Sequence, residues 1–208
     1  MKLWLWGIAI VLLMAGFVGA QIWINQTPNK LERVELPQPP TYKKATLTPG
    51  RVVELHTSKG EIDFVLFEKD CPKTTKRIAD LVQKGCYNGI KFPRVENWVI
   101  QTDACKETVK PMGIEVRDGL SHAKGAVGMA RVGNDLNSNT SIFYILLDPQ
   151  TSLDQLYTVF GRLINGMDVA MKLKKNDVIK SAIVRPLTKA DKKKFYAILT
   201  IEAERKTE

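Results

Sequence analysis

The 208-residue sequence predicts a mainly β fold: a closed eight-stranded antiparallel barrel capped by two helices and preceded by one N-terminal transmembrane helix. Three observations predict it, namely many short strand-like runs between turn signals, two stretches of helical character, and an uncharged apolar run at the start. The composition, 44% hydrophobic and 25% charged, is typical of a globular domain that buries a core without metals.

The N-terminal segment is the most apolar part of the chain. Residues 3–20 carry no charge, and Gln-Ile-Trp-Ile extends the apolar character to residue 24. Residues 1–24 are therefore long enough for a membrane-spanning signal-anchor. Val18-Gly19-Ala20 resembles a signal-peptidase site, so removal of residues 1–20 stays open as an alternative. We expect a single-pass membrane protein with an extracytoplasmic C-terminal domain, or a secreted or periplasmic domain after cleavage.

A proline-rich stretch follows this segment and predicts a linker over residues 25–50. It contains half of the ten prolines of the chain, at positions 28, 37, 39, 40 and 49. Proline removes backbone donors and favours extended chain, so the stretch is typical of a semi-rigid spacer. The folded domain is expected to occupy residues 51–208.

The predicted domain begins with a hairpin. Two strand-like segments, residues 52–57 and 61–68, flank the turn signal Ser58-Lys59-Gly60. Pro72 opens a helical stretch that ends at Gly85, and a second helix is expected over about 166–174. The remaining strands are predicted at residues 91–95, 98–102, 126–130, 141–147, 158–163 and 195–204.

The charge and the rare residue types limit the classes of partner. The net charge of +9 favours acidic partners, with anionic lipid headgroups as a possible contact. No nucleic acid is expected as a main partner, because aromatic residues are not interleaved with the basic runs. His56 and His122 are far apart without ligand-like neighbours, so neither a metal site nor a cofactor is expected.

The cysteines indicate neither a zinc motif nor a redox motif. Cys71, Cys86 and Cys105 show no CxxC spacing. Their number is odd, so at least one is free or pairs with another chain. One intramolecular disulfide is possible, and the sequence does not assign its partners.

Four segments carry the most specific signal in the sequence. They are KGCYNGIKFPRVENWVIQTD (84–103), HAKGAVGMAR (122–131), NSNTSIFYILL (137–147) and LDQLYTVFGRLINGMDV (153–169). In their order and spacing they resemble the cyclophilin-type peptidyl-prolyl cis/trans isomerases, over about residues 51–185. The resemblance implies a cyclophilin-like barrel that catalyses rotation about Xaa-Pro bonds of proline-containing polypeptides. The apolar N-terminal segment predicts that these are exported or membrane proteins.

The resemblance also implies the residues of the site. Arg94 matches the catalytic arginine of the family, and Gln101 matches the glutamine that binds substrate backbone and orients the arginine. The substrate-binding residues implied by the resemblance are Trp98, Val99, Ala130, Arg131, Ile142, Tyr144, Leu153 and Tyr157.

Several positions depart from the family pattern. Pro93 stands in place of the common histidine before the arginine, and Ser152 in place of the tryptophan of drug-sensitive members. Ile142 replaces a glutamine and so removes one side-chain hydrogen bond to substrate. Tyr144 replaces a phenylalanine, and its hydroxyl needs a partner if it is buried. Because of Ile142 and Ser152, a catalytically weak binding module or a subunit of a membrane assembly is the alternative function.

Overall fold

The computed structural model describes residues 41–204 and contains eight strands, all paired antiparallel in one sheet. The strands are β1 (Val52–Thr57), β2 (Gly60–Leu66), β3 (Arg94–Val95), β4 (Val99–Gln101), β5 (Ala126–Met129), β6 (Phe143–Leu146), β7 (Val159–Asn165) and β8 (Ile179–Arg185). Their order across the sheet is β3-β4-β6-β5-β7-β2-β1-β8. The mainly β prediction is therefore confirmed.

The predicted closure of the barrel is wrong. Within residues 41–204 no strand ladder joins β3 to β8, so the sheet is an open half-barrel with these two strands at its edges. Between the segments that precede them there is an isolated bridge from Lys91 to Val178. Pro93, directly before β3, has no backbone N–H to donate, so a ladder cannot run continuously through this position.

The last predicted strand is also wrong, because residues 195–204 are helical. The final strand is β8, and a helix, α3 (Lys189–Glu204), follows it. Thr188 caps this helix: its Oγ1 accepts from the backbone N–H of Asp191, and the Asp191 carboxylate accepts from the Thr188 N–H. This reciprocal capping starts a helix where the residue types alone favour a strand.

Within the described residues, three α-helices rather than two accompany the sheet. α1 (Pro72–Gln83) confirms the helix predicted after Pro72, with proline in the first turn. α2 (Met167–Ala170) is shorter than the stretch predicted from residue 166, and α3 was not predicted. No helix within residues 41–204 is long and apolar enough to span a membrane. The transmembrane helix predicted for residues 1–24 lies outside the described part of the chain.

The residues just before β1 lie against the sheet domain. The backbone N–H groups of Thr46 and Leu47 donate to the Asp70 carboxylate at 2.8 and 3.1 Å. The Ala45 N–H donates to the carbonyl of Asp118 at 2.7 Å. Residues 41–50, the end of the predicted linker, are therefore held by hydrogen bonds to the domain.

A disulfide joins Cys86, after α1, to Cys105, after β4, with the two Cα atoms 5.5 Å apart. Cys71 is free and buried in the core. Burial raises the pKa of the Cys71 thiol, and so this cysteine is held as a neutral thiol. The disulfide ties the chain on both sides of the β3–β4 hairpin, which carries part of the site described next.

Candidate active site

The β3–β4 hairpin positions two of the predicted functional side chains. Arg94 on β3 lies directly opposite Gln101 on β4, and Val95 lies opposite Ile100. Opposite residues in an antiparallel pair project from the same face of the sheet. Arg94 and Gln101 are seven positions apart in the sequence, and the hairpin makes them direct neighbours in space.

The guanidinium of Arg94 is held by two contacts. Its Nε donates to Oε1 of Glu96 at 2.7 Å, and its Cζ lies 4.9 Å from the ring centroid of Trp98. The hydrogen bond from Arg94 lowers the pKa of Glu96, so this carboxylate stays ionised at neutral pH. The side chain of Arg94 is 42% exposed. Its Nη1 and Nη2 make no hydrogen bond to the described residues, so both can donate to a ligand.

Nine of the ten predicted site residues line one small pocket. The pocket has a volume of about 120 Å³ and lies between the β3–β4 hairpin, β6 and the loops after β5 and β6. Its lining residues are Arg94, Trp98, Val99, Gln101, Ala130, Arg131, Tyr144, Leu153 and Tyr157. Segments far apart in sequence thus meet around a single cavity.

Ile142 and Ser152 lie outside this lining. Ile142 is partly buried, and its carbonyl accepts a hydrogen bond from the Ala130 N–H at 3.0 Å. This bond holds the backbone of Ala130 at the edge of the pocket. Ser152 is exposed on the short 3-10 helix Thr151–Leu153. Neither side chain narrows the cavity, and the loss of a glutamine at Ile142 removes a donor from its surroundings.

A buried hydrogen-bond chain holds the floor of the pocket. The Tyr144 hydroxyl lies 2.9 Å from Nε2 of His122, and Nδ1 of His122 lies 2.7 Å from Oδ1 of Asp154. Since a carboxylate only accepts, Nδ1 carries the ring proton, and Nε2 accepts from the tyrosine hydroxyl. This chain provides the partner that a buried Tyr144 requires.

Burial keeps both ring groups in this chain neutral. It lowers the pKa of His122, even though Asp154 acts in the opposite direction. It raises the pKa of the Tyr144 hydroxyl well above its ordinary value. Sequence reasoning missed His122 and Asp154 as site-supporting residues. The available signal was the polar hydroxyl that Tyr144 introduces at an apolar position.

A close approach of backbone to ring explains a glycine beneath Tyr144. Gly128 on β5 pairs with Tyr144 on β6, and a Cβ at Gly128 would overlap the tyrosine ring at Cζ and Oη. The hydrogen bond to His122 fixes the ring from the other end. Only a residue without a side chain leaves room for the ring in this orientation.

A second guanidinium lies at the rim. Cζ of Arg131 is 4.2 Å from the ring centroid of Tyr157, and Nε of Arg131 donates to the Leu156 carbonyl at 3.2 Å. Nη1 of Arg131 donates to the carbonyl of Gly133. The pocket therefore combines an aromatic and aliphatic interior with two positive charges at its edge. Such a cavity suits a small apolar ring attached to a polar backbone.

A family model described as cyclophilin type peptidyl-prolyl cis-trans isomerase/CLD matches residues 52–194. The match covers more than half of the chain and includes the whole pocket. The chain belongs to the cyclophilin-type peptidyl-prolyl cis/trans isomerase family. It is an enzyme of this type, as the resemblance in the sequence implied.

Relatives and solved structures agree with this assignment. A Helicobacter pylori peptidyl-prolyl cis-trans isomerase is 29% identical over 153 residues, covering 69% of this chain and 93% of the relative. An Acinetobacter baylyi peptidyl-prolyl cis-trans isomerase is 34% identical over 134 residues, covering 59% and 71%. A Cryptosporidium parvum cyclophilin structure superposes with a TM-score of 0.60 at 23% identity, covering 67% and 99%. At that identity the superposition supports the fold.

Proposed function

We propose that this pocket binds the proline ring of an Xaa-Pro substrate and that Arg94 donates a hydrogen bond to the prolyl nitrogen. The observation that carries the proposal is the meeting of nine predicted residues around one cavity, with Arg94 and Gln101 paired at its edge. Trp98, Val99 and Leu153 supply apolar surface for the ring. Gln101 binds the substrate backbone and orients the arginine.

The reaction requires no nucleophile and no general base. Resonance across the peptide bond gives a rotation barrier of about 18–20 kcal/mol. As the bond twists, the prolyl nitrogen loses conjugation and becomes a hydrogen-bond acceptor. A donor aimed at this nitrogen stabilises the twisted state more than either planar state, which is the condition for catalysis. Arginine suits the role because it is always charged and its donors are held in a plane.

Exchange NMR on an Xaa-Pro peptide tests this assignment. We expect Arg94→Ala to abolish most of the accelerated exchange and Arg94→Lys to restore little of it, because lysine lacks the planar fork. Arg51→Ala is the matched control, since Arg51 pairs with Glu68 and does not line the pocket. Equal exchange in wild type and Arg94→Ala would reject the catalytic role of this residue.

A catalytically weak binding module is the second candidate. Ile142 favours it, because an aliphatic side chain next to Ala130 cannot donate to substrate as glutamine would. Exchange NMR on the Xaa-Pro peptide, recorded while the protein is added, separates the two candidates. Line broadening of a peptide that binds without faster cis/trans exchange would support the module, whereas faster exchange supports the enzyme.

We further propose that the clients are exported proteins and that the domain works in an extracytoplasmic, oxidising compartment. The Cys86–Cys105 disulfide supports this, since such bonds persist mainly outside the reducing cytosol. The uncharged run over residues 3–20 supports it from the sequence. Contact with anionic lipid stays a prediction from the net charge of +9.

Thiol labelling of the protein from its native source tests the location. Under denaturing conditions without reductant, we expect one alkylated cysteine, Cys71, by mass spectrometry. Prior reduction should raise the number to three and serves as the control for reagent access. Three alkylated cysteines without reduction would contradict the proposed compartment.

A further inference from the structure

The β1–β2 hairpin gathers four side chains of metal-ligating types, Glu54, His56, Glu61 and Asp63, away from the pocket. Glu54 and His56 alternate on β1, and Glu61 and Asp63 alternate on β2. In the ladder, Glu54 lies opposite Asp63 and His56 lies opposite Glu61. Alternate residues of a strand share a face, so the four side chains form a two-by-two arrangement on one side of the sheet.

The donor atoms of three of these side chains lie close enough together to bind one metal ion. Nε2 of His56 lies 3.0 Å from Oε1 of Glu54, and Nδ1 of His56 lies 3.8 Å from Oε2 of Glu61. One donor atom from each residue lies within 4.8 Å of the other two. The side chains of His56 and Glu61 are 40% and 45% exposed, so an ion from solvent can reach them.

Asp63 is a buried carboxylate on the same face as this cluster, opposite Glu54 in the ladder. The residue is 4% exposed, and its Oδ1 has no hydrogen-bond partner among the described residues. Its Oδ2 lies at 3.4 Å from Asn165 and 3.5 Å from Arg185. A buried carboxylate oxygen without a donor is costly, and a nearby cation offsets that cost.

The neighbouring positive charge is already shared. Arg185 on β8 contacts Glu54 at 2.9 Å, Asp63 at 3.5 Å and Asp191 at 2.7 Å. A single guanidinium therefore contacts three carboxylates, while Glu61 lies 3.8 Å from the ring of His56. The cluster carries an excess of negative charge on its His56 side.

We propose that Glu54, His56 and Glu61 bind a divalent transition-metal ion of the zinc class, with the buried carboxylate of Asp63 on the same face as a further negative charge. An imidazole with carboxylates is a donor set that zinc accepts, with water completing the coordination. Calcium and magnesium prefer sites made of oxygen alone. The sequence predicts no metal site, because its two histidines are far apart along the chain. The register of the β1–β2 hairpin brings the carboxylates to His56, and this register is a property of the fold.

Histidine NMR gives a direct test with an internal control. The chain has two histidines, and His122 is fully buried and bound to Tyr144 and Asp154. In tag-free protein labelled at histidine, we expect the ring signals of His56 to shift and saturate on addition of zinc chloride. The signals of His122 should stay in place and report an intact fold. Magnesium chloride at the same concentration should leave both unchanged.

Variants separate a built site from incidental binding. We expect His56→Ala and Glu61→Gln to weaken zinc affinity by calorimetry by roughly tenfold or more. Glu107→Gln is the matched control, because Glu107 is also an exposed carboxylate in an ion pair, with Lys84. If zinc leaves the His56 signals unshifted, or Glu61→Gln binds zinc as tightly as wild type, the cluster is an ion pair only and the proposal is wrong.

Discussion

The hydroxyl oxygen of Tyr144 lies 2.9 Å from Nε2 of His122, and this contact joins the floor of the substrate pocket to a buried polar chain. Asp154 continues the chain at 2.7 Å from Nδ1 of the same ring. A phenylalanine at position 144 would need no such support. The buried hydroxyl therefore requires a hydrogen-bond partner, and the bond to His122 fixes the orientation of the tyrosine ring in the pocket.

Tyr144→Phe should destabilise the protein while leaving the shape of the pocket. The change leaves Nε2 of His122 buried without its donor, which costs roughly 1–3 kcal/mol. Urea unfolding measures this loss, with Tyr196→Phe as the control on an exposed tyrosine of α3. An unchanged unfolding free energy in Tyr144→Phe would show that the hydroxyl has no stabilising partner.

The unfolding free energy should fall as the pH drops below about 6.5, the ordinary pKa of histidine. Burial lowers the pKa of His122 in the folded state, so the unfolded chain binds the proton at a higher pH than the folded protein does. Proton binding then stabilises the unfolded state relative to the folded state. The slope contributed by one such proton is at most about 1.4 kcal/mol per pH unit.

Urea titrations between pH 5.5 and 7.5 check this dependence. His122→Gln should flatten the slope, whereas Tyr196→Phe at an exposed position of α3 should preserve it. The assignment to His122 fails if both variants keep the slope of the wild type.

Reduction of the Cys86–Cys105 disulfide should destabilise the domain by roughly 3 kcal/mol, the value for closing a loop of similar length. The two cysteines are separated by 19 positions in the sequence. We expect dithiothreitol to lower the urea midpoint of the wild type to that of the double variant Cys86→Ser/Cys105→Ser. The double variant itself should not respond to the reductant. A wild-type midpoint that is insensitive to dithiothreitol would contradict this prediction.

Asp191→Asn should destabilise the domain by about 2 kcal/mol at neutral pH, and the difference should disappear in acid. Hydrogen bonds from Arg185 lower the pKa of Asp191 to about 2, against an ordinary value of 3.8. A depressed carboxyl pKa contributes stability above 3.8 that is lost as the pH falls through about 2. Urea unfolding of wild type and Asp191→Asn at pH 7 and at pH 2 measures the difference in unfolding free energy at each pH. A difference that persists at pH 2 would assign the loss to helix capping rather than to the charge.

Sequence patterns predicted most of the pocket because its residues sit within short motifs. Arg94 and Gln101 lie seven positions apart in one such motif, and the antiparallel hairpin converts that spacing into a direct pair. Local composition was weaker evidence for secondary structure. The run from residue 195 to 204 has strand-forming residues, yet it is helical, with Phe195 buried and Tyr196 and Ile201 exposed.

The sequence by itself determined the family, the mainly β class, the first helix and nine lining residues of the pocket, because these depend on motifs and on local periodicity. Only the tertiary structure decided the open edge between β3 and β8, the helical C-terminus, the His122–Asp154 support and the cluster around His56. The open edge, the buried support and the cluster depend on strand register and on contacts between separate segments, which local patterns do not contain. The C-terminal helix depends instead on the short cap formed by Thr188 and Asp191, which competes with the strand-forming residue types that follow it.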